Sequence, residues 1–186
     1  MKSSQSRTKP LLRVAAICMG CFLAATAIAE ERFSLTSPEL TDNATLDARH
    51  AASAQDCGGK NVSLPLAWSN APPDTKSFAI TLFDPDGARG LGVVHWVLYG
   101  IPAATTKLAE GEPPAGSIGG INRTGKDGYY GPCPPHGDAP HHYVVQAYAL
   151  DLAADALPAA LNRDALIAAM KGHVLASSSM VVRYAR

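Results

Sequence analysis

Two acids, Asp84 and Asp86, flank Pro85 a few residues before the pair His95-Trp96. A Gly-Pro-rich run, Gly131-Pro132-Cys133-Pro134-Pro135-His136-Gly137, leads into His141-His142-Tyr143. Carboxylates can accept hydrogen bonds from an ammonium or hydroxyl group, and a protonated imidazole can donate to a phosphate oxygen. A proline-rich loop beside them is stiff and poor in donors. No nucleophile stands among these residues. Gly116-Ser117-Ile118-Gly119 lacks the G-x-S-x-G elbow of a serine hydrolase. The set points to binding an anion or polar head group more than to breaking bonds.

Each residue also has a plainer reading. Asp-Pro-Asp-Gly is turn chemistry, with the acids bonded to amides of their own turn, and spacing alone favours that turn. His95 lies in an apolar segment, where a satisfied core histidine is commoner than a ligand contact. His136 sits at a loop tip and reads as solvated. His141 and Tyr143 fall on one strand face and His142 on the other, so one of the histidine pair reaches a pocket while its neighbour faces water. Cys133, His136 and His141 have residue types that zinc accepts, but their spacing matches no strong signature. No metal and no other cofactor is expected.

The elements that must position these residues are mainly strands. Ser77 to Phe83 and Val93 to Ile101 are apolar on both faces, as strands covered on both sides are. Strict alternation puts Val93, His95, Val97 and Tyr99 on one face, with Val94, Trp96 and Leu98 on the other. Phe33–Ser37, Tyr143–Leu150 and Val174–Tyr184 read as further strands, and Val62–Trp68 as one interrupted by Pro65. Between Pro102 and Pro140 glycine and proline dominate, and a loop of that length is functional or disordered. One late helix is expected, capped by Asn162, lined by Leu166, Ile167 and Met170, and ended by Gly172. The expected fold is a mainly β domain of two packed sheets with few short helices.

The 186 residues are 47% hydrophobic and 17% charged, which suits one globular domain. Formal net charge is zero, from 16 bases and 16 acids. Lys2, Arg7, Lys9 and Arg13 precede residue 30 without any acid, so the remainder is acidic. Such a domain is a poor nucleic-acid binder and has no polybasic stripe for anionic lipid. The basic start, the apolar run Val14–Ile28 and Ala27-Ile28-Ala29 read as a secretory signal at 1–29, leaving a domain at 30–186. The run is short for a membrane anchor, and the protein is not expected to be integral to the membrane. Of four cysteines, Cys57 and Cys133 remain after cleavage. Export to an oxidising compartment, here the periplasm, favours a bridge between them over two free, buried thiols.

Together these motifs resemble the phosphatidylethanolamine-binding proteins. The resemblance is carried by Asp84-Pro85-Asp86, His95-Trp96-Val97-Leu98-Tyr99-Gly100-Ile101-Pro102, Gly131 to Pro135 and His141-His142-Tyr143-Val144. The segment from Cys57 to Trp68 is similar to the bacterial Raf-kinase-inhibitor-like (YbhB/YbcL-type) branch. The resemblance covers nearly the whole mature chain. It implies a two-sheet β-sandwich with a pocket for phosphate, acetate or phosphoethanolamine-like groups. Pocket residues would be Asp84, Asp86, His95, Tyr129, Gly131, Pro132, Pro134 and His141. Three positions depart from the family pattern. Gly87-Ala88 stand where a proline is usual, which implies a looser loop. His142 replaces an arginine, and Leu64 stands where proline is common.

The function expected is therefore an exported, non-enzymatic binding or inhibitor-like protein with a small anionic or zwitterionic ligand. Two alternatives stay open: a hydrolase, possible with metal assistance, using His95 as base and Asp84 as its orienter, and a protease- or kinase-inhibiting protein whose pocket matters little. A protein partner and a homodimer also stay open.

Overall fold

Segments that are apolar on both faces need cover on both sides, and the chain supplies it in layers. The computed structural model describes residues 31–54 and 56–186. The expected signal peptide at 1–29 lies outside the described residues. In chain order the strands are β1 (Ser34–Thr36), β2 (Ala44–Thr45), β3 (Leu66–Ser69), β4 (Ser77–Asp84), β5 (Val93–Pro102), β6 (Lys107–Leu108), β7 (Ile118–Gly119), β8 (His141–Leu150) and β9 (Val174–Tyr184). A 3-10 turn covers Ala48–His50 and a helix covers Arg163–Ala169. The larger sheet has the order β2-β9-β8-β4-β5-β7, and the smaller has β1-β3-β6. The described part is a two-sheet, mainly β fold, as expected.

The main core lies between the sheets. Phe33, Leu35, Leu66 and Trp68 of the small sheet side meet Phe78, Ile80, Leu82, Tyr143 and Val145 of the large one. Phe33 stacks on Phe78 at 6.0 Å, and Trp68 tilts against Phe78 at 5.1 Å. The far face of the large sheet buries Ala79, Val97, Tyr99 and Leu150 under Leu166 and Met170. Each buried side chain of Leu size contributes about 1.5–3 kcal/mol relative to exposure. Asn162 caps the helix, its side chain accepting from Ala165 N–H at 2.9 Å. Ile167 does not line the buried face as expected. It is 38% exposed, because Leu166 and Met170, four apart, define a stripe that residue 167 falls outside.

Two further expectations change. The third strand begins only at Leu66, after Pro65, which has no N–H for a ladder. The preceding amides of Lys60, Asn61 and Val62 instead donate to Arg49, Ala51 and Arg49 carbonyls. On β5 the register with β4 slips between Leu82↔Trp96 and Phe83↔Val94, so His95 is an extra, bulged residue. A bulge of this kind places two successive side chains on one side. His95 therefore joins Trp96 on the inter-sheet side, while Val94 packs with Val97 and Tyr99 beneath the helix. Simple alternation had put His95 with Val97.

The long loop is ordered by the free edge of β5. Gly120, Arg123 and Tyr130 donate their N–H groups to Val97, Val94 and His95 carbonyls at 2.8, 2.9 and 2.8 Å. Cys57 and Cys133 form a disulfide with Cα atoms 5.3 Å apart.

Candidate functional site

Asp84 ends β4 and is 2% exposed. Its Oδ1 accepts the N–H groups of Asp86 and Gly87, both at 2.9 Å. Its Oδ2 accepts from Nδ1 of His141 at 2.8 Å. One carboxylate thus closes its own turn and reaches β8, so the turn reading and the pocket reading hold together here. The turn is not loose. Gly92 N–H donates to Gly87 O at 2.9 Å, and Ala88 and Arg89 are held at positive φ of 52° and 60°. Left-handed backbone costs these two residues about 1–2 kcal/mol each. Gly87 has no room for a side chain, since a Cβ would lie 2.7 Å from Val93 Cγ2 and 2.9 Å from Asp84 Oδ2.

His95 and His141 meet this carboxylate from two directions. Nδ1 of His95 donates to Tyr130 O at 2.7 Å, which leaves Nε2 as the acceptor in the neutral ring. That Nε2 lies 3.9 Å from Asp84 Oδ2. Burial lowers the His95 pKa, against the opposing pull of the Tyr130 carbonyl and the Asp84 charge. Burial would lower His141 as well, but the hydrogen bond and charge of Asp84, helped by Asp138 and Asp86, outweigh it and raise its pKa. The pair is therefore one neutral imidazole and one held towards the imidazolium. Tyr143 packs edge-on to His95 at 5.2 Å, and its buried hydroxyl has no hydrogen-bond partner among the described residues.

These side chains open on a cleft of about 190 Å³, lined also by Arg123, Pro134 and Pro135. Four of the expected pocket residues do not line this cleft, although the Gly131 backbone bonds the His95 ring. Asp86 turns outward and bonds His142, accepting its N–H at 2.7 Å and facing its Nδ1 at 2.9 Å. Those hydrogen bonds, backbone first, hold its carboxyl below the usual range. Tyr129 lines a separate cavity of about 500 Å³ beyond Trp96, and its hydroxyl donates to His50 O at 2.8 Å. Gly131 and Pro132 are buried behind the cleft wall. Gly131 donates to Asn61 Oδ1 at 2.8 Å, and Pro132 O accepts from Ala52 N–H at 3.0 Å. Asp84, His95, Pro134 and His141 are brought together, and His136 is exposed.

The sequence model of the phosphatidylethanolamine-binding proteins matches residues 36–185. The chain belongs to that family. It is similar to a UPF0098 protein of Methanothermobacter thermautotrophicus, 40% identical over 152 residues that cover 79% of this chain and 98% of that protein. The UPF0098 protein YbcL of Escherichia coli is 42% identical over 125 residues, 63% of this chain and 68% of that protein. The crystal structure of YbcL, described as a new member of the mammalian PEBP family, superposes with a TM-score of 0.77 at 33% identity, covering 84% of this chain and 99% of that one. Membership of the bacterial branch makes this a binding-type protein.

Within this family member, Arg123 is the cleft residue that sequence reasoning missed. Its guanidinium sits 5.6 Å over the Tyr130 ring, and no carboxylate pairs with it among the described residues. It stands in an Asn-Arg-Thr-Gly turn, closed by Gly125 N–H to Asn122 O at 3.0 Å. Nothing in that local pattern says that the turn docks on β5. Among the described residues no group of three or more histidines, cysteines or acids could hold a metal ion, and no helix is long and apolar enough to cross a membrane.

Proposed function

We propose that the Asp84–His95–His141 cleft binds a phosphate or phosphoethanolamine-like head group without transforming it, in an exported protein. The observation that carries this reading is Arg123. With Asp86 turned away, one carboxylate remains in the cleft, and it is already engaged by three hydrogen-bond donors. His141 balances its charge, and the guanidinium of Arg123 is left as positive charge for an anion. A guanidinium offers several donors in a plane that matches phosphate oxygens. The hydrolase alternative needs Asp84 to orient His95, yet Asp84 is 2.8 Å from His141 and 3.9 Å from His95. Export is supported by the signal-like start of the sequence and by the disulfide.

Calorimetric titration with phosphate and with phosphoethanolamine should give saturable binding at about pH 6, where histidines carry more charge. Arg123→Gln should weaken it by roughly 1.5–3 kcal/mol, the worth of a charge-assisted hydrogen bond, while His136→Ala leaves it unchanged. Absence of binding at about pH 6 and about pH 8 alike would overturn the reading.

A further inference from the structure

We infer that the cleft continues into a second anion subsite built on Arg163, so that its preferred ligands carry two separated anionic groups. This rests on the head-group reading above. A depression of about 280 Å³ adjoins the cleft and shares Val93 and Arg123 with it. Arg163 also lines it. Arg123 thus stands between two hollows, and the second contains another guanidinium.

Each guanidinium lies over an aromatic ring, and Arg163 also pairs with Asp164, which lines the same depression. Arg163 lies 4.4 Å over the Phe83 ring, and Arg123 lies 5.6 Å over that of Tyr130. A guanidinium that stacks on a ring keeps its in-plane N–H donors free for a partner. Arg163 has one acid nearby, Asp164, at 3.9 Å from Nη1, and that carboxylate is 92% exposed. Its Nε is buried and has no hydrogen-bond partner among the described residues. Main-chain bonds tie both arginines to the same frame. Arg123 N–H donates to Val94 O at 2.9 Å, and Ile121 N–H donates to Leu161 O at 2.9 Å beside the helix start.

The ligand class is then a phosphoryl compound with a second phosphate or carboxylate a short linker away. The first anion would lie against Arg123 in the cleft, and the second between Arg123 and Arg163. Val93, which lines both hollows, offers apolar surface to a short carbon chain.

The test compares methyl phosphate with the ethane, butane and hexane α,ω-bisphosphates by calorimetry on the same protein. At least one bisphosphate should bind about tenfold or more tightly than the monoester, as one added charge-assisted contact provides. Arg163→Gln should bring that ratio close to the statistical factor of about two for two equivalent ends, and Arg163→Lys should restore part of it. Lys107→Gln, on the other sheet, should not change it. If methyl phosphate binds but no bisphosphate exceeds it beyond the statistical factor, the second subsite is wrong and the head-group reading stands. If Arg163→Gln leaves a large ratio intact, the second anion binds elsewhere and the inference is overturned. If neither methyl phosphate nor any bisphosphate binds, both readings fail together.

Discussion

Asp84 holds three hydrogen bonds on two oxygens, and the charge state of His141 depends on it. The sign of the resulting pH dependence follows from the direction of the shift. His141 has a folded pKa above its unfolded value of about 6.5. Its contribution to stability is therefore complete below about pH 6.5 and is lost as pH rises through the folded value. His95 is shifted the other way, so its contribution is present above about pH 6.5 and fades as pH falls towards its lower folded value. Asp84→Asn keeps an acceptor for the Asp86 and Gly87 amides but removes the charge beside His141. The NMR titration midpoint of His141 should fall in that variant, and the loss of stability on the alkaline side should shrink. A His141 midpoint that stays where it was would show that Asp84 does not set it. Asp84, His95 and His141 were legible because their motifs are local and ordered. Asp86 bonds His142 instead of lining the cleft, because one residue of a turn decides which side its carboxylate faces. Arg123 was invisible because only a long-range main-chain contact brings it to the cleft.

At the scale of elements, long apolar segments and the Asn162 cap could be read from periodicity and local chemistry. The two-residue strands β6 and β7 could not, since pairings so short have no period. The phase of His95 was lost for a related reason: a bulge is a property of the pair of strands, and one strand alone does not reveal it. The wall behind the cleft depends on close backbone approach. A Cβ on Gly131 would lie 2.2 Å from His50 O and 2.5 Å from Ala51 C, both main-chain atoms that cannot swing aside. Gly131→Ala should therefore cost about 1–3 kcal/mol by overpacking. It should also displace the Tyr129–Pro134 segment, weakening phosphate binding. Chemical unfolding and calorimetry on the same variant check both. Unchanged unfolding would mean that the 48–52 turn yields without strain.

Across the molecule, the large sheet carries Asp84, His95 and His141, while the 48–62 segment holds up the opposite wall. The disulfide joins that segment to the wall itself, at Cys133. Cys57 and Cys133 are 76 positions apart, and closing a loop of that length stabilises the fold by about 4 kcal/mol in a chain-entropy account. Cys133 also lines the cleft. Cys57→Ser should therefore lower the unfolding midpoint and loosen phosphate binding together. A variant with lower stability but native affinity would show that the wall is set by its hydrogen bonds to Asn61 and Ala52 alone.

The bulge at His95 has an optical consequence. The sequence contains two tryptophans, Trp68 in the small sheet and Trp96 immediately after the cleft imidazole. Trp96 is turned to the same side as His95 and meets Tyr129 edge-on at 5.6 Å. Its indole is thus a built-in fluorophore one residue along the chain from the cleft imidazole His95. With Trp68 replaced by phenylalanine, emission from the whole protein would come from that single position, and occupancy of the cleft could be followed without a dye or label.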